Sequence, residues 1–273
     1  MKIACYNIQN ISEEKIKNEE IVDQIAKIIC NYDIMFILEL SDKSSKKCDS
    51  PVLDSIVRKL NNKLNNELNK KYSYYANEKQ GSTACTAERI GIIYNNEAEI
   101  KIDINSSFNK IEFTNFVRNP FIVPINIYNE NYIFIINHIT PSNVNNELNS
   151  LNDVFNNLYD ENKDKKFILM GDYNADGSFL SNTNEKKNKL FNNKNLICLT
   201  NNEKTNVSEN EKRCYDRVLC STNCLINLNN VDNDEGNNTY CDVDNLRYLN
   251  LNIQEIKKIS DHYPVFIEII KST

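Results

Sequence analysis

The sequence is poor in several features, and each shortage excludes a class of protein. Its apolar runs fall short of the roughly 20 residues that a helix needs to cross a bilayer, so we expect no membrane span. The formal net charge of −6 argues against affinity for nucleic acid through a broad basic surface. The five Gly and five Pro are scattered and no CxxC pair is present, which disfavours a flexible linker and a structural zinc site.

What is present suffices for one sizeable core. The 273 residues are 40% hydrophobic, and apolar segments recur from Ile3 to Ile270, so we predict a single domain over residues 1–273. The nine Cys residues are not closely paired, which favours reduced and mostly buried thiols. The first residues lack the pattern of a signal peptide, and the sequence is compatible with an intracellular protein or a processed secreted domain.

Histidine is rare in this chain, and both copies adjoin apolar segments. They are His138 in the string YIFIINHITPSN and His262 in ISDHYPVFIEI. Asp261 stands directly before His262, and the string FILMGDYNAD places Asp172 and Asn174 after another apolar run. A lone GDxN string is also typical of a simple turn. An acid beside one of two histidines shifts the balance toward a metal-dependent phosphodiesterase.

The first part of the chain has the pattern of a strand, a helix and a strand. Residues 2–7 alternate as a short strand, and residues 13–29 keep their apolar positions on one helical face, with Ser12 as the expected N-cap. Residues 34–38 form an apolar run that predicts a buried strand, and this strand ends at Glu39.

The same plan returns in the second half. Residues 132–137 predict a strand that ends at His138, residues 148–158 carry a helical apolar stripe, and residues 167–170 predict a strand that ends near Asp172. Elsewhere we predict a helix over 52–64 and strands over 72–75, 90–94, 121–128, 197–199, 217–220 and 265–270. Pro124 places the strand over 121–128 at an edge or bulge, and the Asn-rich residues 227–252 predict surface loops.

Four of the predicted strands end in polar side chains, those of Asn7, Glu39, His138 and Asp172. If the strands lie side by side, their carboxyl ends meet at one rim, where ligands bind in layered α/β folds. A carboxylate at the end of a buried strand costs several kcal/mol unless a cation or a donor offsets it. Oxygen ligands from Asn7, Glu39, Asp172 and Asp261 suit Mg²⁺, Mn²⁺ or Ca²⁺ better than zinc. Each acid taken alone is better explained as a solvated strand end than as a metal ligand.

The strings also resemble, in order, those of the deoxyribonuclease I group within the endonuclease/exonuclease/phosphatase superfamily. The resemblance covers nearly the whole chain and is carried by KIACYNIQN, YDIMFILEL, AERIGIIY, VRNP, NHITPSNVNNELNSLNDV, ILMGDYNAD, YDRV and ISDHYPV. It implies an α/β fold of the four-layer sandwich type, in which two packed, mainly antiparallel sheets are flanked by helices.

The same resemblance implies a role for each candidate residue. The metal ligands would be Glu39, Asn7, Asp172 and Asp261; Glu88 would hold His138, Asp216 would hold His262, and Asn174 and Arg118 would contact the scissile phosphate. The implied activity is endonucleolytic hydrolysis of DNA to 5′-phosphate and 3′-hydroxyl ends. The cofactor would be Mg²⁺ or Mn²⁺, with Ca²⁺ as a further candidate. Two imidazoles, each oriented by a carboxylate, can supply the general base and the general acid. We expect a monomer that acts on double-stranded DNA, with single-stranded DNA as an alternative.

The chain departs from this group at positions that contact DNA or stabilise loops. Ser41 and Gln9 stand where the group has arginines, and Thr86 replaces a tyrosine that packs on the DNA sugar. We therefore expect weaker groove contacts. Gly177 and Arg213 occupy the positions of a disulfide, and Thr114 and Asn119 replace the acids of a calcium site.

Two alternatives stay open. A phosphatase of lipid or inositol phosphates, or a sphingomyelinase-like enzyme, would share most of the candidate residues, although the strings around His138 and Asp216 favour a nuclease. A catalytically inactive member that serves as a binding or toxin subunit is the second alternative, because a fold alone does not guarantee activity.

Overall fold

The computed structural model describes the chain except residues 45–47, 64–69, 82, 84–86, 106–107, 109–112, 114, 201–202, 229–230, 233–237 and 272–273. The described chain divides into two compact units. The first consists of residues 1–98, 206–211 and 243–266, and the second of residues 99–205, 212–242 and 267–273. The prediction of one domain over residues 1–273 stays a prediction.

The strands, in chain order, are β1 (Lys2–Ile11), β2 (Ile34–Leu40), β3 (Tyr72–Ala76), β4 (Arg89–Asn95), β5 (Ile100–Ile102), β6 (Phe121–Ile127), β7 (Glu130–Ile136), β8 (Lys166–Asp172), β9 (Leu196–Cys198), β10 (Asp216–Ser221), β11 (Val231–Asp232), β12 (Asn238–Thr239), β13 (Cys241–Val243) and β14 (Val265–Glu268). The α-helices are α1 (Glu19–Ile29), α2 (Pro51–Lys63), α3 (Val144–Glu161), α4 (Asn182–Glu185) and α5 (Ile253–Ile259). None of the helices in the described residues is long and apolar enough to cross a bilayer.

The first unit is built around a six-stranded sheet with the order β13-β14-β1-β2-β4-β3. β1 and β2 pair in parallel, with Asn7 opposite Leu38, while β4 runs antiparallel to both β2 and β3. The chain passes from β1 to β2 through α1, which buries Val22, Ile25 and Ile29. The predicted strand–helix–strand plan is therefore confirmed, and the carboxyl ends of β1 and β2 lie at the same edge.

The helix begins later than the sequence predicts. α1 starts at Glu19, and its N-cap is Asn18, whose side chain accepts hydrogen bonds from the N–H groups of Glu20 and Ile21. Ser12, the expected N-cap, instead accepts a bond from the N–H of Lys15 at the start of a separate 3-10 turn over Lys15–Lys17. Because Asn18 is extended at ψ 100°, it separates the turn from the helix.

The second unit has its own six-stranded sheet, in the order β5-β6-β7-β8-β10-β9. β7 and β8 pair in parallel and are connected through α3, whereas β10 is antiparallel to β8. α3 contributes Leu148, Leu151 and Phe155 to a core that also contains Ile135 and Leu169 of the sheet. The second strand–helix–strand plan is confirmed as well.

Two local predictions were wrong at least in part. The predicted edge or bulge of β6 is contradicted for its second half, where β5 pairs with Ile125 to Ile127 and the pairing with β7 keeps a continuous register. Residues 227–252 are not all surface loops, because β13 is part of a six-stranded sheet and Cys241 and Leu246 are buried. A three-residue strand inside an Asn-rich segment is too short to give a periodic signal. The described cysteines are free thiols and most are buried, as predicted.

Candidate active site

In the first unit, Glu39 lies near the carboxyl end of β2, and Asn7 is the last residue of the regular parallel pairing of β1 with β2. β1 itself continues to Ile11, beyond the predicted strand end at Asn7. The side-chain amide of Asn7 donates to Glu39 Oε1 at 2.9 Å, and the backbone N–H of Asn10 donates to Oε2 at 2.8 Å. Glu39 has φ 58°, in the left-handed region that side chains with a Cβ seldom adopt. Such strain persists only where the surroundings hold it, and here two hydrogen bonds hold the Glu39 carboxylate.

Asp261 and His262 follow α5 and are joined to β1 through Ser260. The hydroxyl of Ser260 donates to the carbonyl of Asn7 at 2.5 Å and accepts the N–H of His262 at 3.1 Å. The side-chain amide of Gln9 donates to Asp261 Oδ2 at 3.0 Å. Asp261 Oδ1 lies 4.0 Å from His262 Nε2. Ser260 thus brings the SDH string next to the end of β1.

Lys15 supplies a cation to the same part of the first unit. Its ammonium donates to the carbonyl of Gln9 at 2.5 Å. Burial lowers the pKa of Lys15 to about 8, and the negative charges of Asp261 and Glu39 oppose this shift. The ammonium therefore lies within electrostatic reach of both carboxylates.

The donor set of the first unit fits a divalent cation. Asp261 Oδ1 is buried and accepts no hydrogen bond from the described residues, and a buried carboxylate oxygen is costly without a cation or a donor. Glu39 and Asp261 offer carboxylate oxygens, and Asn7 offers an amide oxygen. These are the ligands that Mg²⁺ and Ca²⁺ prefer.

In the second unit, Asp172 is the last residue of β8, and His138 lies two residues after the end of its parallel neighbour β7. His138 Nε2 lies 3.6 Å from Asp172 Oδ2, and both side chains are buried. The N–H of Asn174 donates to Asp172 Oδ1 at 2.9 Å, and the Asn174 amide donates to the carbonyl of Ile139 at 2.9 Å. Asn174 has φ 48°, a conformation that Asn tolerates better than most residues. The GDxN string is thus a turn whose side chains also face His138.

Asp216 stands beside Asp172 in the same sheet. The two residues are partners in the antiparallel pair β8–β10, so their side chains point to the same face. Their ligand oxygens lie within 4.8 Å of each other, and the residues are 1% and 2% exposed. Two buried carboxylates at this distance repel each other unless a proton or a cation lies between them. The second unit therefore also fits a cation.

Arg118 lies next to the His138 strand end. Its Nε donates to the carbonyl of His138 at 3.2 Å, and the side-chain amide of Asn137 donates to the carbonyl of Arg118 at 2.9 Å. Arg118 is buried, so a guanidinium charge is held at the end of β7. Such a group can bind a phosphate oxygen.

Glu88 belongs to the first unit, where it is buried and forms a backbone bridge with Gln80. The predicted pairs Glu88 with His138 and Asp216 with His262 each join residues of different units. These pairs and all the predicted roles stay predictions. Within each unit, the structure brings together Asn7, Glu39, Asp261 and His262 in the first, and Arg118, His138, Asp172, Asn174 and Asp216 in the second.

Glu147, a buried acid in the first turn of α3, was not predicted from the sequence. Its Oε2 accepts the N–H of Thr140 at 3.2 Å, and its Oε1 accepts the N–H of Val117 at 3.4 Å. It therefore connects the segment before Arg118 with the segment after His138. The signal was an acid on the apolar face of a predicted helix, between Val144 and Leu148. Ser260 and Lys15 gave no such signal because Ser and Lys are common.

Some positions at which the sequence departs from the deoxyribonuclease I group are described by the structure, and others are not. Gly177 has φ 61° and lies against the Arg213 guanidinium, while Cys214 is a buried free thiol. The backbone N–H of Cys214 donates to Asp176 Oδ2 at 2.7 Å, so hydrogen bonds hold this loop. Thr86 and Thr114 lie outside the described residues.

Comparison with known proteins gives consistent matches along the chain. The Endonuclease/Exonuclease/phosphatase family matches residues 4–262. Deoxyribonuclease-1-like 1 from Chlorocebus aethiops is 26% identical over 273 residues, which cover 98% of this chain and 84% of that protein. Deoxyribonuclease gamma from Mus musculus is 25% identical over 276 residues, covering 97% of this chain and 83% of that protein.

A solved structure also matches over both units. An endonuclease/exonuclease/phosphatase family protein from Leptotrichia buccalis has a TM-score of 0.63 at 15% identity, with 98% of this chain and 99% of that chain covered. This likeness concerns the fold alone, and it confirms the predicted fold class. Since the family match extends from residue 4 to residue 262, the chain belongs to the endonuclease/exonuclease/phosphatase family.

Proposed function

We propose that the protein is a divalent-metal-dependent endonuclease that hydrolyses DNA phosphodiester bonds to 5′-phosphate and 3′-hydroxyl ends. The observation that carries the proposal is the buried group of His138, which follows β7, with Asp172 of β8 and Asp216 of β10. A histidine beside paired carboxylates suits proton transfer next to a cation. The relatives named deoxyribonuclease, which match 97% to 98% of the chain, support DNA as the substrate.

The metal would be Mg²⁺ or Mn²⁺, held by Glu39, Asn7, Asp172 and Asp261, with Ca²⁺ as a further candidate. When bound, the cation would neutralise negative charge on the phosphodiester and polarise it for attack. The first unit contributes two carboxylates that are already oriented by Asn7 and Gln9. Little rearrangement of these ligands is then needed for binding.

The two histidines would carry the proton transfers. One imidazole removes a proton from the attacking water, and the other gives a proton to the leaving 3′ oxygen, so the chain ends are a 5′-phosphate and a 3′-hydroxyl. Glu88 would orient His138 and Asp216 would orient His262. A carboxylate that accepts from one ring nitrogen raises the basicity of the other.

Asn174 and Arg118 would hold the scissile phosphate. The Asn174 side chain is fixed by its bond to the Ile139 carbonyl, and the Arg118 guanidinium is fixed by its bond to the His138 carbonyl. Both groups are therefore positioned relative to His138 before substrate arrives. A pre-positioned donor of this kind stabilises the charge of the transition state without reorganisation.

The departures at Gln9 and Ser41 bear on the substrate. The Gln9 amide donates to Asp261 within the candidate site, so this donor is engaged in the protein and not directed at a DNA groove. We therefore infer weak dependence on duplex shape. Cleavage of single-stranded circular DNA within about tenfold of duplex plasmid would support this, and strict duplex preference would contradict it.

A plasmid-nicking assay tests the proposal directly. Supercoiled plasmid should be nicked with Mg²⁺ or Mn²⁺ and left intact with EDTA. His138→Ala and His262→Ala should each lower the rate about 10² to 10⁴ fold. Asp172→Asn should abolish nicking, while Asp160→Asn, the same change at a side chain that is 70% exposed, should not alter it. Full activity in a folded His138→Ala protein would contradict the proposal.

The products and a substrate panel separate the alternatives. Nicked plasmid that DNA ligase reseals without kinase treatment has the proposed ends, and resistance to resealing would contradict them. Inositol phosphates and sphingomyelin, tested under the same conditions, should stay intact. Their hydrolysis without plasmid nicking would favour another phosphodiesterase or phosphatase of the family. No hydrolysis of any of these substrates would favour a binding subunit. We propose a monomer as the active form, which size-exclusion chromatography with light scattering would test.

A further inference from the structure

A polar cavity lies in the second unit, against β9 and β10. Its volume is about 310 Å³, and Glu185, Lys186, Phe191, Cys198, Thr200 and Arg217 line it. Cavities of roughly 300 Å³ or more are large enough for a small ligand. Arg217 follows Asp216 in β10, so their side chains point to opposite faces of the sheet. The cavity is therefore on the other face from the candidate active site.

Arg217 is a buried cation with unused donors. It is 3% exposed, and its Nη2 donates to the carbonyl of Ala175 at 2.7 Å and to Glu185 Oε1 at 2.9 Å. Its guanidinium carbon lies 5.5 Å from the centre of the Phe191 ring. Its Nε is buried and donates to none of the described residues. A guanidinium has five N–H donors in a fixed fork, so Arg217 is held in place with donors to spare.

The charge around the cavity favours an anion that also carries hydrogen-bond donors. Lys186 is exposed and lines the cavity with Arg217, so the lining contains two cations and the single acid Glu185. Lys187, Lys189 and Lys194 belong to the same segment, in a chain whose formal net charge is −6. The hydroxyl of Thr200, which accepts the N–H of Val218 at 3.4 Å, and the second carboxylate oxygen of Glu185 can bind hydroxyl or N–H donors of a ligand. A simple inorganic anion would not use these two groups.

We propose that this cavity binds a small phosphate monoester that also carries hydrogen-bond donors, either hydroxyl or base N–H groups. The phosphate would be bound by Arg217 and Lys186, these donors by Thr200 and Glu185, and an apolar part of the ligand would pack on Phe191. Guanidinium and ammonium groups are the usual protein ligands of phosphate. Such a monoester can come from a free nucleotide or from the 5′ end of a DNA strand.

Isothermal titration calorimetry of the full chain in EDTA tests this proposal. Thymidine 5′-monophosphate should bind and thymidine should not, because the phosphate supplies the charge. Lys186→Glu should weaken binding by at least about tenfold, since it reverses a charge next to the phosphate. Lys187→Glu makes the same change at an exposed neighbour that does not line the cavity, and should weaken binding less than about twofold.

The two sources of the phosphate are distinguished by a short oligonucleotide with and without a 5′-phosphate. A stronger affinity for the phosphorylated strand that Lys186→Glu removes assigns the site to DNA ends. Equal affinities, with thymidine 5′-monophosphate still bound, assign it to a free monoester.

Three results would overturn the proposal. One is that thymidine 5′-monophosphate binds more weakly than about 1 mM. Another is that Lys187→Glu weakens binding as much as Lys186→Glu does. The third is that Asn174→Ala removes binding while Lys186→Glu does not, which would locate the phosphate at the candidate active site.

Discussion

Replacing Glu147 should lower both the stability and the activity of the protein, because this buried acid connects two parts of the candidate site. Glu147 is fully buried in the first turn of α3. Its two oxygens accept the N–H groups of Thr140 and Val117 at 3.2 and 3.4 Å. Val117 precedes Arg118, and Thr140 follows His138 by two residues. Loss of the carboxylate would therefore free both segments.

The magnitude follows from these two hydrogen bonds. Glu147→Ala leaves two N–H groups without their acceptor, each worth about 1 to 3 kcal/mol. Removing a buried carboxylate recovers part of its desolvation cost, so we expect a net loss of about 3 kcal/mol. Glu147→Gln keeps the shape of the side chain and one acceptor oxygen. This variant should therefore lose only about 1 kcal/mol of the free energy of unfolding.

Urea unfolding and plasmid nicking measure the two effects. Glu147→Ala should lower the free energy of unfolding by the stated amount and lower kcat about tenfold or more, since His138 and Arg118 lose their common support. Glu147→Gln should restore most of the activity. Glu161→Gln, at an exposed position of the same helix, is the matched control. If Glu147→Ala is as stable and as active as the parent protein, the reasoning is wrong.

The same residue gives a pH dependence with a definite sign. Burial raises the pKa of Glu147, and the hydrogen bonds from Thr140 and Val117 and the charge of Arg118 oppose the shift. A raised pKa means that the folded state favours the protonated acid. The stability that Glu147 contributes through its raised pKa is complete at a pH below the usual glutamate pKa of 4.5. This stability is lost as the pH rises through the raised pKa of the folded state. The destabilisation caused by Glu147→Gln should therefore be larger near about pH 4 than near about pH 8.

Three further substitutions test the fold, each by thermal or urea unfolding. Gly171→Ala should lower the free energy of unfolding by about 3 kcal/mol, because a Cβ there would lie 1.8 Å from the carbonyl oxygen of Asn137. An unchanged melting temperature would contradict this contact. Arg89→Met should lower the free energy of unfolding by about 3 to 5 kcal/mol, because it leaves the buried partner of Arg89, the Asp42 carboxylate at 3.0 Å, without its cation. The double variant Arg89→Met, Asp42→Leu should recover part of this loss of stability. Asn252→Ala should lower the free energy of unfolding by about 1 kcal/mol, since Asn252 caps α5 in a capping box with Glu255. An unchanged free energy of unfolding would exclude a stabilising role for the cap.

The elements with strong periodicity were predictable from the sequence. β2 and β8 are continuous apolar runs, and α3 repeats its apolar residues at helical spacing, so each was placed within a few residues. The start of α1 was not, because Ser12 and Asn18 are both good N-caps and only the extended backbone of Asn18 decides between them. β13 was missed because three residues carry too little pattern.

The candidate ligands were predictable one by one, but their mutual support was not. Asn7 and Asp216 were found from motifs, whereas the pairing of Asp172 with Asp216 depends on the register of β8 and β10. Register is determined by tertiary packing and is not visible in either string alone. Ser260 joins β1 to the SDH string across 253 residues of sequence. Hydrogen bonds over such distances have no local signal.

These supporting contacts have a consequence for metal binding. Glu39 is held by Asn7 and Asn10, Asp261 is held by Gln9, and Lys15 reduces the repulsion between the two acids. Protein donors thus orient the carboxylates of the first unit. A divalent ion that binds such a site stabilises the folded state only through its affinity and concentration. The melting temperature should then rise smoothly with Mg²⁺ concentration, and EDTA should lower it without unfolding the protein. Unfolding by EDTA would mean that the cation, and not Asn7 and Gln9, holds the acids together.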